Sequence, residues 1–347
     1  MIEIAARSAT SRGRRRVRVL APGACLALVV AALATVAGHL EPMLGAPVAA
    51  VLLGAAVSTA WPRARARRYA AGLRATGSTV LQAAVVLLGA QVSAVQVLHT
   101  GAQTMPVMLG TLAACLVGAY VLGRALGVDG DLRTLIGVGT AICGATAIAA
   151  TVPVLRPSAS RVAYALTTVF LLNIVAVVTF PPLGHLLGLS QHAFGVFAGT
   201  AVNDTSSVVA AAATYGRQAT DTAVVVKLTR ALMIIPVTLG LALVLRQRGR
   251  GDGDARPAVW AMVPWFLLGF LALATVNSVC PLPGALRSAL ATAAMLLITW
   301  ALSAIGLSTD LGALRRAGVR PLLLGGALWL VVSTFSLGLQ AAFLGLH

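Results

Sequence analysis

Two stretches that start 60 residues apart carry nearly the same chemistry: Gly139-Thr-Ala-Ile-Cys-Gly-Ala-Thr-Ala-Ile-Ala-Ala150 and Gly199-Thr-Ala-Val-Asn-Asp-Thr-Ser-Ser-Val-Val-Ala210. Between them they hold hydroxyls at Thr140, Thr146, Thr200, Thr205, Ser206 and Ser207, a thiol at Cys143, an amide at Asn203, a carboxylate at Asp204 and a glycine at Gly144. These small polar groups interrupt apolar runs long enough to enter a bilayer. Paired helix-breaking interruptions at corresponding places point to the substrate site of a carrier. Downstream, Lys227 and Arg230 lie three apart and share a helix face. Hydroxyls, free N–H groups at two half-helix starts and two cations are the donors that replace the hydration shell of a small anion.

Each of these groups also has a plainer structural role. Asp204, followed by Thr205, Ser206 and an apolar run, is placed to cap a half-helix; it is equally placed to hold a coupling proton or cation, since a carboxylate in hydrocarbon costs about 2.5–3.5 kcal/mol unless partnered. Lys227 and Arg230 need an anionic partner if buried, which Asp204, Asp221 or a substrate can supply; alternatively Lys227, a few residues into its span, snorkels to the interface.

The elements that must position these groups are membrane helices. The 347 residues are 59% hydrophobic and only 10% charged, with a mean hydropathy of +0.92, far from the balance of a soluble domain. Apolar segments are predicted at 24–40, 43–60, 78–98, 104–126, 134–155, 160–180, 193–214, 221–245, 259–277, 286–307 and 321–345. The fold class expected is all-α: a polytopic integral membrane protein of about 9–11 transmembrane helices, two of them broken or re-entrant, with an inverted repeat. A basic cytoplasmic segment, 1–23, precedes a single transmembrane transporter domain, 24–347.

The net charge of +17 is distributed by side. Arginines 7 to 18 precede the first span, arginines 63 to 74 follow the second, arginines 246 to 256 follow the eighth, and arginines 315 to 320 follow the tenth, whereas the loops 39–46, 99–105 and 278–285 carry no Lys or Arg. That alternation is the positive-inside pattern with a cytoplasmic N-terminus. It excludes a nucleic-acid role, for which no aromatic-interleaved basic module exists. Arg156, Arg161 and the chargeless 180–192 loop break the pattern if segment five spans fully. If segments five and seven instead enter and return as hairpins from opposite faces, every loop keeps its side. The N-terminal arginines resemble a signal peptide's start, but 21–40 offers no convincing cleavage site.

A shorter echo relates Leu88–Gly101 to Ile305–Gly318, with glycines twelve apart in each. Cys25, Cys115, Cys143 and Cys280 are scattered without metal-ligand or disulfide spacing, and no histidine pair has metal spacing. Gly137-Val-Gly139 lacks the third glycine of a dinucleotide fingerprint, and no phosphate-binding loop occurs. Neither a cofactor nor a metal is expected.

Four stretches, Thr140–Ala150, Ala198–Ala211, Val226–Pro236 and Ala304–Leu311, resemble the YeiH-type family of bacterial inner-membrane proteins named as sulfate exporters. The resemblance implies a carrier of a small oxyanion, distantly grouped with inverted-repeat secondary transporters. Two positions depart from the family: Asn203 stands where histidine is common, and Gln91 near a commonly basic position. An amide at 203 cannot relay protons.

The expectation is therefore a secondary active exporter of a sulfate- or sulfite-like oxyanion working by alternating access. It would sit in the bacterial plasma membrane with lipid and a small anion as its partners, with homo-oligomerisation left open and no enzymatic role. A channel, a membrane sensor or an intramembrane enzyme using Asp204 with Cys143 or His192 is the competing reading.

Overall fold

The computed structural model describes residues 2–40, 45–61, 63, 67–247, 265–309 and 319–344. Among them there are helices and turns and no strand: α1 (Ile2–Leu40), α2 (Gly45–Ala60), α3 (Arg67–Ala75), α4 (Leu81–Leu88), α5 (Ala94–Ala125), α6 (Gly130–Ala141), α7 (Ala145–Leu155), α8 (Ala159–Leu186), α9 (Gln191–Ala201), α10 (Thr205–Tyr215), α11 (Arg217–Ala231), α12 (Ile234–Gln247), α13 (Trp265–Val279), α14 (Gly284–Ser308) and α15 (Val319–Phe343). A single π-helical turn, Thr76–Val80, joins α3 to α4. Seven helical stretches among the described residues are long and apolar enough to cross a membrane. The all-α polytopic class is thus met.

Two compact units divide the chain. The first, Met1–Leu87 with Gly284–Leu311, packs α2 and α1 on α14. Glycines allow the closeness: a Cβ at Gly54 would lie 2.7 Å from the Ser303 carbonyl oxygen. The Trp300 indole donates to the Ala24 carbonyl at 3.0 Å. Helix α1 runs unbroken through residue 23, so the basic N-terminal stretch and the first span are one helix.

The second unit, Leu88–Pro283 with Gly312–His347, holds both polar stretches. Its four half-length helices make two hairpins. In a straight helix Gly139 and Ile148 would stand about 13.5 Å apart along the axis. Instead, a Cβ at Gly139 would lie 2.9 Å from Cδ1 of Ile148, so α7 returns alongside α6. The open ends agree: Arg161, at the start of α8, pairs with Asp129, the N-cap of α6, and with Asp131, both at 3.0 Å. The second hairpin closes likewise. Tyr215, the last residue of α10, donates to the Leu189 carbonyl just before α9 at 2.5 Å, and its ring stacks on Phe194 with centroids 3.9 Å apart.

Helix α8, 28 residues long, spans about 42 Å and crosses the roughly 30 Å hydrocarbon core between the hairpins. The hairpins therefore open on opposite faces and point their tips at each other. Of the two geometries left open by the sequence for residues 134–155 and 193–214, the structure has the re-entrant one.

Three boundaries differ from the sequence expectation. The third and fourth spans are separated not at 99–105 but at 92–93, where Val92 is extended and Ser93 caps α5 by accepting the Gln96 N–H; Thr100 and Thr104 lie inside α5, the Thr104 hydroxyl bonding back to the Thr100 carbonyl. Helix α8 continues past residue 180 through Pro181 and Pro182 to Leu186. Residues 259–264, Asp310 and Arg315 and Arg316 lie outside the described residues.

The same-face geometry has a direct consequence. In a background with the native cysteines replaced, Ser158→Cys and Gly130→Cys are expected to react with a membrane-impermeant thiol reagent from the same side, and Gln191→Cys from the other. With a cytoplasmic N-terminus, Ser158→Cys resists reagent added from outside. Labelling of the first two positions from opposite sides would refute the hairpin.

Candidate functional site

Each tip is three residues without helix: Ile142-Cys143-Gly144 and Val202-Asn203-Asp204. The first turn is possible because Gly144 takes φ +69°, a conformation side chains with a Cβ rarely adopt. The tips touch, with a Cβ on Gly144 reaching to 3.8 Å from the Asp204 Cα. Irregular backbone at this depth is tolerated only where protein or water satisfies it.

The satisfaction comes from α11. Lys227 donates to the carbonyls of Ile142 at 2.7 Å and Val202 at 2.9 Å. Arg230 donates through Nε to Ala141 at 2.7 Å, through one terminal nitrogen to Thr200, and through the other to Thr140 at 3.3 Å. Helix C-termini leave carbonyls without intrahelical partners and carry the negative end of the dipole. Two cations thus crown the inner ends of α6 and α9 together. Both side chains are 0% exposed, so Lys227 does not snorkel, and the hydrogen-bond acceptors are backbone oxygens.

Close packing makes this reach possible. Gly195 and Gly199, four apart on α9, face α11: a Cβ on Gly195 would lie 2.7 Å from Thr222 Cβ, and one on Gly199 2.8 Å from Val226 Cβ. Small residues at such spacing bring helix backbones together, here setting α9 one side chain away from Lys227 and Arg230.

The N-terminal ends at the tips differ. At α10, Asp204 is the N-cap: its carboxylate accepts the Ser207 N–H and hydroxyl, each at 3.3 Å, and the Ser206 hydroxyl. Asp204 and Thr205 are partly exposed. At α7, Gly144 caps without any side-chain acceptor of its own; its N–H donates to the Gly139 carbonyl at 2.9 Å and the Cys143 thiol meets the Ala147 N–H, so the uncapped donors of the first turn are those of Ala145 and Thr146. One tip presents a carboxylate and the other a helix start that no charged side chain caps.

The crossing gathers Thr140, Cys143, Gly144, Asn203, Asp204, Lys227 and Arg230. Thr146 is exposed on the outer side of α7, and the Thr200 hydroxyl turns away, pairing with Ser336 of α15 at 2.6 Å. Asn173 of α8 belongs to the site and escaped sequence reasoning; its Oδ1 accepts the Asn203 backbone N–H at 3.1 Å. An amide alone within the run Phe170–Val178 was the available signal. Both amide atoms of Asn203, Nδ2 of Asn173 and the Thr140 hydroxyl are buried without a hydrogen-bond partner. Each such group costs about 1–3 kcal/mol if nothing meets it. Among the described residues no cluster of His, Cys, Asp and Glu could hold a metal ion.

The chain matches the family described as Conserved hypothetical protein 698 over residues 22–325. It is 39% identical over 328 residues to a UPF0324 membrane protein of Streptococcus pyogenes serotype M18, covering 92% of this chain and 96% of that one. A UPF0324 membrane protein of Streptococcus agalactiae serotype V is 37% identical over 327 residues at the same coverages. One of Fusobacterium nucleatum subsp. nucleatum is 33% identical over 338 residues, again covering 92% and 96%. The family resemblance read from the four motifs is borne out, and the relatives' names say membrane protein without saying what crosses.

Proposed function

We propose, from the premise that this chain belongs to the Conserved hypothetical protein 698 family of membrane proteins, that it is a secondary active carrier exporting a small sulfate- or sulfite-like oxyanion by alternating access. One observation carries the reading: two opposed re-entrant hairpins meet tip to tip, one tip with a helix start at Ala145 and Thr146 that no side chain caps and the other with a partly exposed carboxylate at Asp204. Bare N-termini favour anions, and an accessible carboxylate beside them is a seat for the coupling proton or cation. Two substrates of opposite demand then share one crossing, which is what coupling requires. Lys227 and Arg230 raise the local potential through their charge while their N–H groups hold the scaffold.

The carrier is placed in the bacterial plasma membrane with its N-terminus cytoplasmic, as the arginine distribution favours, and no enzymatic step is assigned to it. In proteoliposomes, uptake of labelled sulfite or sulfate is expected to saturate with concentration and to respond to an imposed proton or sodium gradient. Flux that rises linearly with concentration and ignores such gradients would support a channel instead; no flux of any oxyanion would sink the reading.

A further inference from the structure

The buried amides at the crossing specify more than negative charge. Asn203 is 0% exposed, and its side-chain oxygen and nitrogen both lack a partner. A guest that meets both must accept a hydrogen bond from one and donate to the other. Exchanging the oxygen and nitrogen of the amide leaves that demand unchanged. Beside it, Asn173 has its oxygen engaged by the Asn203 backbone N–H and its nitrogen unused, which adds donors and no acceptor. A fully deprotonated oxyanion offers only acceptors, so it leaves the Asn203 oxygen facing another oxygen. An anion that retains one O–H meets every group.

Charge agrees with this count. With both cations protonated and no coupling ion on Asp204, Lys227 and Arg230 contribute two positive charges at the crossing and Asp204 one negative, a sum of +1; Asp221 lies six residues back along α11, about 9 Å down its axis. A monoanion is balanced there, and a dianion is not.

We propose that the crossing selects a singly charged oxyanion bearing one O–H, such as hydrogen sulfite or bicarbonate, over sulfate and over monoanions without an O–H. The proposal rests on the oxyanion-carrier reading and narrows it.

The test uses the purified full-length protein and thermal unfolding at constant ionic strength, titrated with hydrogen sulfite or bicarbonate, each at a pH where it carries one proton, and with nitrate and sulfate as comparators. The O–H-bearing anions are expected to stabilise at concentrations roughly tenfold lower than nitrate or sulfate, the discrimination that follows when a site's buried polar group is left unpaired. Asn203→Leu removes the unpartnered amide, so it is expected to keep or raise the anion-free unfolding temperature and to erase the preference. Asn203→Ser serves as the second variant if the leucine does not fold, with the preference reduced. Nitrate or sulfate acting as well as hydrogen sulfite overturns the proposal while leaving the oxyanion carrier standing, the outcome expected if a buried water satisfies Asn203. A preference that survives in Asn203→Leu, or that is undiminished in Asn203→Ser, overturns the assignment to this residue. No stabilisation by any of the four anions overturns both readings.

Discussion

Replacing Arg230 with leucine is expected to destabilise the second unit by several kcal/mol, about 1–3 kcal/mol for each buried carbonyl left without its donor. The guanidinium bonds three carbonyls, those of Thr140 and Ala141 at the end of α6 and Thr200 at the end of α9. Leucine fills part of the volume but offers no donor, and the site it occupies is closed to solvent, Arg230 being 0% exposed. Arg230→Lys tests geometry apart from charge: one ammonium nitrogen replaces the three guanidinium nitrogens that reach three carbonyls here, so this variant is expected to be intermediate and still clearly below the wild type. Thermal unfolding of purified protein, with anion-free and anion-containing arms, reads both effects. An Arg230→Leu protein that unfolds at the wild-type temperature would show that the hairpin ends do not depend on this clamp.

Asp204→Asn is expected to fold with near wild-type thermal stability and to lose gradient-driven flux by at least about tenfold. Asparagine is as good an N-cap as aspartate, so the start of α10 keeps its acceptor for the Ser207 N–H. An amide, however, cannot titrate and is a poor seat for a cation. Asp204→Ala removes the cap as well and is expected to cost about 1 kcal/mol more in stability. The discriminating measurement is the pH and sodium dependence of flux in proteoliposomes alongside unfolding of the same preparations. An Asp204→Asn carrier with full flux and unchanged gradient response would leave Asp204 as a cap alone.

Much of this arrangement was legible in the sequence because charge and hydropathy report depth and side. Arg156 and Arg161 were misplaced in any full-span reading, and that anomaly alone favoured the hairpins now visible from the Arg161 ion pairs. The echo of Gly139–Ala150 in Gly199–Ala210 located the two tips. The partner of Lys227 and Arg230 was not legible. Carboxylates are visible in a sequence, whereas a carbonyl freed by a helix end is common to every residue type, so the search went to Asp204 and Asp221. The break at 92–93 was not legible because hydropathy marks polar residues rather than turns, which put the boundary at 99–105; threonine hydroxyls inside a helix return to its own carbonyls. Asn173 was passed over because a single amide in an apolar run carries no spacing to interpret.

The crown of cations also sets an order on how the chain matures. Lys227 lies 85 residues beyond Ile142, and Arg230 lies 90 beyond Thr140. At elongation rates of roughly 5–20 residues per second, about 4–18 s separate the first hairpin leaving the ribosome from the residues that complete it. Throughout that interval the end of α6 has no donor of its own, and hydrocarbon supplies none. The hydrogen bonding of the first hairpin is therefore completed only when α11 follows, so that this unit is closed by its later half.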